Sequence, residues 1–376
     1  MTPKSDVSLK LRRKNFAFGE NMKKIPSLKV EKTSGEKAIV ALKALGVLNA
    51  DYKISREENY LFLPLNRKPS KNDLEELRTK LPEFEVVQRV FAERVEFQPK
   101  FVDLLSEKLP PHLLASLPQA IDFIGDIAVV EIPPELEKHK TVIGEAILKA
   151  HKQLNTVLAK SGAVDGEFRV REFEPIAGVA KTSTVHREYG CIFHVDLAKA
   201  YFSPRLSYEH NRVASLVKED ETVLDMFTGV GPFAIYIAKK CQKVHVYAVD
   251  KNPAAIRLLK KNMAVNRVEA KITPILGDAR EITAERLQGL STRVIMNLPE
   301  RALQFVEVAC QAIKPQGGIV HYYEFTSESE PLEVAQKRLR QAVKQAGRKV
   351  DEILGSRIVR GTAPFTWQVA VDARIK

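Results

Sequence analysis

Cysteine is scarce in this chain: Cys191, Cys241 and Cys310 are the only three in 376 residues, and none stands in a C-x-x-C spacing. That excludes a disulfide-stapled secreted fold and a thiolate metal site, and it fits a reducing compartment. No apolar stretch approaches the ~18 residues that a membrane-spanning helix requires. The opening residues Met1–Asp6 lack the apolar core of a signal peptide. Internal repeats and low-complexity tracts are absent as well. The expectation is a cytoplasmic monomer with no metal and no membrane partner.

Positive charge, by contrast, is in excess. Lys and Arg number 59 against 47 Asp and Glu, a formal net charge of +12, within an ordinary globular composition of 44% hydrophobic and 28% charged residues. The excess is steepest at the start, where Lys4, Lys10, Arg12, Arg13, Lys14, Lys23, Lys24, Lys29 and Lys32 face only Asp6, Glu20 and Glu31. A basic surplus fits a polyanionic partner, because each phosphate neutralised releases counterions. General basicity without nucleic-acid binding is the competing explanation.

Residues 1–25 have little apolar periodicity and read as a basic, weakly ordered arm. Over 26–97, a strand at Ser27–Val30, a helix at Ser34–Leu45, a strand at Tyr60–Leu65, a helix at Asp73–Leu81 and the apolar run Phe84–Val95 describe a small α+β domain. Over 98–210, a hairpin at Ile121–Ile132, a long amphipathic helix at Glu135–Ala159 and strands at Phe168–Phe173, Thr182–His186 and Cys191–Asp196 describe a second one. From 211 to 376 strands and helices alternate, ending in a late strand pair at 351–360 and 367–373. The fold class is therefore α/β: a Rossmann-like, doubly wound class I methyltransferase domain with an antiparallel edge, preceded by two smaller α+β domains.

The segment Val223-Leu-Asp-Met-Phe-Thr-Gly-Val-Gly-Pro232 is the strongest motif. A buried strand ends in Asp225, turns at Gly229 and Gly231, and enters a helix; the next strand ends in Tyr247-Ala-Val-Asp250. A carboxylate at the second strand tip can hold ribose hydroxyls. Asp225 would repel a pyrophosphate and Pro232 has no N–H to offer one, which disfavours a dinucleotide. A ligand with a sulfonium and an amino group suits the site, and S-adenosylmethionine is the expected cofactor. Phe227 leads into the glycine turn with Asp225, Asp278 and Asn297 end the third and fourth strands, and all should converge there. An acidic side chain at 278 can accept from an adenine amino group, although Asp at that position is also a good helix N-cap.

Met296-Asn-Leu-Pro-Glu300 resembles the [N/D]-P-P-[Y/F] loop of enzymes that methylate planar nitrogens, with the stacking ring replaced by Glu300. This points away from an exocyclic amine. A ring nitrogen such as guanine N1 must lose a proton while charge moves to O6, so a base and a cation are needed. The stretch Tyr201–Arg212 offers both kinds of group, but chemistry alone does not single out Glu209 there.

Phe168-Arg-Val-Arg-Glu-Phe-Glu174, Tyr201-Phe-Ser-Pro-Arg-Leu-Ser-Tyr-Glu209, Asp225-Met-Phe-Thr-Gly-Val-Gly-Pro-Phe233 and the Asn297 loop together resemble the archaeal tRNA (guanine-N1)-methyltransferases that modify the purine 3′ of the anticodon. The N-terminal domain is similar to that family's first domain. The resemblance implies Glu209 as general base, Arg169 as the cation at O6, and Asn297 orienting the base and touching the cofactor. Tyr201, Phe202, Arg205 and Pro299 would face the substrate. Phe227, Asp250, Lys251, Asp278 and Ala279 match cofactor contacts, alongside Asp225, Gly229 and Gly231. The family often has Arg directly after the base; His210 stands there and is assigned to the cofactor side. The implied partner is tRNA, gripped at its anticodon loop and outer corner. The nearest rivals act on the wyosine precursor of the same tRNA position, as methyl or aminocarboxypropyl transferases. A catalytically silent RNA-binding relative is disfavoured by the intact turn, Asp250 and Glu209.

Overall fold

The computed structural model of the protein describes residues 24–49, 51–57, 59–91, 101–118, 120–165, 170–327, 329–363 and 365–376, which divide near residue 98 into two units. The basic arm expected at 1–25 lies outside the described residues apart from its last two positions. In the first unit, alternating residues of β1 (Lys24–Glu31) place Leu28 and Val30 in the core. β1 pairs antiparallel with β3 (Tyr60–Pro64) and β4 (Glu85–Val90), and β2 (Ser55–Arg56) completes the order β2-β3-β1-β4. Helices α1 (Gly35–Ala44) and α2 (Lys71–Lys80) bring Ala38, Leu42 and Leu77 to that core. α2 starts at a capping box in which Ser70 and Asp73 satisfy each other's backbone N–H.

The second unit begins with the short helix α3 (Pro111–Ala115) and the hairpin β5 (Ile121–Ile124) and β6 (Ile127–Val130). Helix α4 (Lys140–Ala150) follows, then β7 (Thr156–Asp165) and β8 (Val170–Gly178), giving a sheet ordered β5-β6-β7-β8. The single helix expected over Glu135–Ala159 is thus corrected. Residues 134–139 form a 3-10 turn, α4 ends at Ala150, and Thr156 onward is strand. The apolar run Val157–Ala159 pairs in parallel with Ala128–Val130 and is fully buried there; sheet burial overrides a helical reading of the same residues. The expected strand start at Phe168 falls outside the described residues.

The hairpin β9 (Ser183–Glu188) and β10 (Cys191–Asp196) leads to α5 (Ser207–Leu216). The alternating elements follow in turn: β11 (Glu221–Asp225), α6 (Pro232–Lys240), β12 (Val244–Asp250), α7 (Pro253–Asn266), β13 (Ile272–Leu276) and α8 (Ala279–Ile282). After them come β14 (Arg293–Met296), α9 (Val306–Ala312), β15 (Gly318–Thr326), α10 (Pro331–Gln345), β16 (Val350–Ala363) and β17 (Thr366–Ile375). The sheet order is β13-β12-β11-β14-β15-β17-β16. Its first five strands run parallel, and β17 enters antiparallel between β15 and β16. Strands buried on both faces read as apolar runs, as at residues 294–296 of β14, where the one buried polar residue is the leading Arg293. No helix among the described residues is long and apolar enough to cross a membrane.

Two asparagines stitch the β9–β10 hairpin to this sheet's helices. Asn262 and Asn266 lie one turn apart on α7, buried. Asn262 Oδ1 accepts from His194 N (2.7 Å) and its Nδ2 donates to His194 O (3.1 Å) and Val230 O (3.0 Å). Asn266 repeats the pattern on Ile192, accepting at 2.9 Å and donating at 2.6 Å. The amide side chains thus act as a surrogate strand along the edge of β10. Asn262→Leu is expected to lower unfolding free energy by at least about 2 kcal/mol in urea titration, since it strands several buried backbone groups at once; an unchanged midpoint would show that the stitch contributes nothing.

Candidate active site

The carboxyl ends of β11, β12, β13 and β14 open onto one cavity of ≈ 220 Å³, where open α/β sheets bind ligands. Its geometry starts from the turn after β11. Gly231 sits at φ 93° and caps α6, and a Cβ there would meet Leu259 Cδ1 at 2.3 Å. Pro232 then occupies the first helical position, where its missing N–H costs nothing. Gly229, at φ 55°, donates its N–H to Asp250 Oδ2 at 2.7 Å, while Asn252 N–H donates to Oδ1 at 2.8 Å. The β12 carboxylate is therefore locked in place by two backbone amides, with lone pairs left over for hydroxyl donors. Burial pushes its carboxyl above the ordinary value, against those two hydrogen bonds.

On the cofactor side the wall contains Phe227, Gly229, Asp250, Lys251, Asp278 and Ala279. Asp278 caps α8, accepting from Arg280 N at 2.9 Å, with Lys251 Nζ 3.7 Å from its other oxygen. Phe305 closes this side: it meets Phe227 edge-on at 4.8 Å and carries the Arg280 guanidinium 3.8 Å above its ring. Arg280, Phe305, Thr228 and Arg301 all line the cavity and were not anticipated. For Arg280, its place two residues past the third strand-end acid was the available signal.

Two members of the expected set lie behind the wall rather than in it. Gly231 serves the turn. Asp225 is fully buried under the turn, and neither its two oxygens nor the Thr228 hydroxyl has a partner in good hydrogen-bond geometry among the described residues. Burial pushes the Asp225 carboxyl up to about 7.

Tyr201, Phe202, His210 and Asn297 line the same cavity. The loop bearing Tyr201 is anchored by Asn252 Nδ2, which donates to Lys199 O at 2.6 Å. His210 packs edge-on against Phe233 at 4.6 Å, and its Nδ1 lies 3.8 Å from Glu188 Oε1. Burial opposes charge on Glu188, yet His186 and His210 outweigh it and bring that carboxyl down to about 2. His210 therefore has an acidic neighbour, contributed by β9, that the sequence did not reveal.

Glu209 is not brought into the cavity. It is 3% exposed, and its carboxylate is clasped by Arg212, with Nε to Oε2 at 2.8 Å and Nη2 to Oε1 at 2.6 Å, while the Tyr323 hydroxyl donates to Oε1 at 2.7 Å. Arg212 also bridges to Asp372 at 2.6 Å, and Asp372 bonds His321 at 2.6 Å. Burial opposes the charge on Arg212, but Glu209 and Asp372 hold it above its ordinary value. Arg205 pairs with Asp122 at 2.5 Å, and Pro299 accepts from Phe325 N at 3.2 Å; neither lines the cavity. Arg169 lies outside the described residues.

Comparison with known proteins shows the family. The TRM5/TYW2 methyltransferase domain matches residues 184–351, the TYW2 N-terminal domain matches 101–182, and the tRNA methyltransferase 5 N-terminal domain matches 27–74. The tRNA (guanine(37)-N(1))-methyltransferase Trm5b of Pyrococcus abyssi is 40% identical over 350 residues, covering 93% of this chain and 98% of that protein. The chain belongs to the TRM5/TYW2 methyltransferase family. A solved complex of aTrm5 and tRNALeu superposes with a TM-score of 0.68 at 36% identity, covering 93% of this chain and 99% of that one. The tRNA(Phe) (4-demethylwyosine(37)-C(7)) aminocarboxypropyltransferase of Pyrococcus horikoshii is 33% identical over 74% of this chain and 97% of that protein. The fold and the S-adenosylmethionine dependence expected of the sequence are those of this family.

The raised Asp225 carboxyl yields a signed test. Its folded value lies above the ~3.9 of a free aspartate, so folding favours the protonated form. That contribution is complete below about pH 4 and lost as pH rises through about 7. Without cofactor, Asp225→Asn should match the native protein at pH 4 and exceed it by at least about 1 kcal/mol at pH 8. A difference that does not change with pH would contradict this.

Proposed function

We propose that this protein is an S-adenosylmethionine-dependent tRNA methyltransferase that modifies N1 of the guanine at position 37. The observation that carries the reading is a single cavity lined by Asp250, Asp278 and Gly229 of the glycine turn together with Tyr201, Phe202 and Asn297. Its full-length relative with that activity spans 93% of the chain. When bound, S-adenosylmethionine supplies a methyl group on a sulfonium. Asp250 accepts from ribose hydroxyls, and Asp278 and Ala279 face the adenine. Lys251 and His210 complete that side. Asn297 holds the flipped guanine by its amide edge, beside Tyr201 and Phe202.

Glu209 is the proposed acceptor of the N1 proton, and Arg169 the proposed cation at O6. For Glu209 the role carries a condition: one oxygen must be released by Arg212 or Tyr323 before it can reach a base in the cavity. The first unit is proposed to hold the tRNA outer corner through phosphate contacts that position without reading sequence. The rival reading, a wyosine-precursor enzyme, draws on the TYW2-type match over 101–182. The match of 27–74 to the tRNA methyltransferase 5 N-terminal domain favours guanine methylation.

Glu209→Gln should leave cofactor and tRNA affinity intact and lower the single-turnover rate at least about 100-fold. A near-native rate would remove Glu209 as the base. A transcript with adenine at position 37 should accept no label from the methyl donor; equal labelling of both transcripts would reject the guanine assignment.

A further inference from the structure

Asn297 is the end of a hydrogen-bonded chain whose direction is fixed by its other end. On the last hairpin, Arg360 and Gln368 are cross-strand partners, directly beyond an irregularity in β16 between Ile358 and Arg360. Such bulges re-aim side chains. Arg360 Nε donates to Gln368 Oε1 at 2.8 Å, and Gln368 Nε2 donates to Asn297 Oδ1 at 3.3 Å. Arg360 also donates to Ser203 Oγ and to the Tyr201 hydroxyl, each at 3.2 Å. Gln368 is 1% exposed, so water does not compete for its amide.

An amide side chain can present either its oxygen or its nitrogen to a neighbour, and the two orientations are nearly isosteric. A guanidinium has donors only. Arg360 therefore compels Gln368 to turn its oxygen towards it and its nitrogen towards Asn297. Asn297 must in turn offer Oδ1 to Gln368, which leaves its Nδ2 hydrogens and one remaining Oδ1 lone pair for a ligand. The same guanidinium ties the Tyr201–Ser203 loop to this arrangement.

We infer that Arg360 and Gln368 are positioning residues that set the amide orientation of Asn297 and couple it to the Tyr201–Ser203 loop, so that the cavity presents a defined donor and acceptor pattern to the target base. The inference rests on the proposed methylation of guanine. It places a determinant of base recognition on the C-terminal hairpin, far in sequence from the Asn297 loop.

Gln368→Glu separates orientation from packing. A glutamate still accepts from Arg360 and keeps the shape, but it cannot donate, so Asn297 must rotate its amide by half a turn. The expected result in single turnover is a loss of methylation rate of about tenfold or more, with S-adenosylmethionine and tRNA dissociation constants within about twofold and unfolding unchanged. In an Asn297→Ala background the same substitution should have no further effect. Arg360→Met, which removes the donor that sets the direction, should give a smaller loss that also vanishes with Asn297→Ala. An undiminished rate in Gln368→Glu, or losses that simply multiply with Asn297→Ala, would overturn the inference. Native protein assayed alongside keeps the cases apart: no methylation there defeats the functional reading, whereas native activity with an indifferent Gln368→Glu defeats only the positioning role. If Gln368→Glu fails to fold, the Arg360→Met and Asn297→Ala pair decides the question by the same criterion.

Discussion

A largely buried chain of ion pairs and hydrogen bonds joins helix α5 to the central sheet. Arg293 clasps Glu221 at 2.6 and 2.9 Å and donates to His321 Nε2 at 2.7 Å; His321 then meets Asp372, Asp372 meets Arg212, and Arg212 meets Glu209. These residues come from β14, β11, β15, β17 and α5, so the chain ties helix α5 to four strands of the sheet. Because Arg293 donates to Nε2, His321 holds its proton on Nδ1 for Asp372, and burial pushes this imidazole below its ordinary value. Arg212 and Asp372 each have two partners in the chain, so losing an interior member such as Arg212 would leave both neighbouring carboxylates short of their counter-charge. The helix thus anchored carries His210 into the cavity wall while turning Glu209 away from it.

That anchoring explains why the site is assembled from distant segments. The cavity-lining loop at 197–203 follows β10, which is stitched to α7 by Asn262 and Asn266, and it is held at its other end by Arg360. The turn between β11 and α6 is fixed by Asp250 from the next strand. Polar side chains from other elements thus position both the 197–203 loop and the glycine turn, and the part-buried ones among these contacts are worth more than their surface equivalents.

Much of the fold was legible because its signals are local. Buried parallel strands read as short apolar runs, the glycine turn followed by Pro232 announced the first crossover, and Asp250, Asp278 and Asn297 marked successive strand ends. Residue patterns failed where tertiary pairing decides: Thr156–Ala159 continues an amphipathic pattern but belongs to a strand because β6 lies beside it. At the site, residue types told which side chains gather, since strand ends converge by topology. They did not tell which way each side chain faces. Asp225 lies buried beneath the turn, Arg205 is spent on Asp122 far away in the sequence, and Glu209 is clasped by Arg212 of its own helix and by Tyr323 of β15. Glu188 and Gln368 carried no motif of their own, and only the folded chain sets them beside His210 and Asn297.

The central claim is that this cavity delivers a methyl group to N1 of guanine 37 in tRNA. The most direct measurement is incubation of the full chain with unmodified tRNA and isotopically labelled S-adenosylmethionine, followed by nucleoside mass spectrometry. The account predicts labelled 1-methylguanosine from position 37. A label found only in an aminocarboxypropyl or wyosine-type nucleoside, or no labelled nucleoside at all, would contradict it.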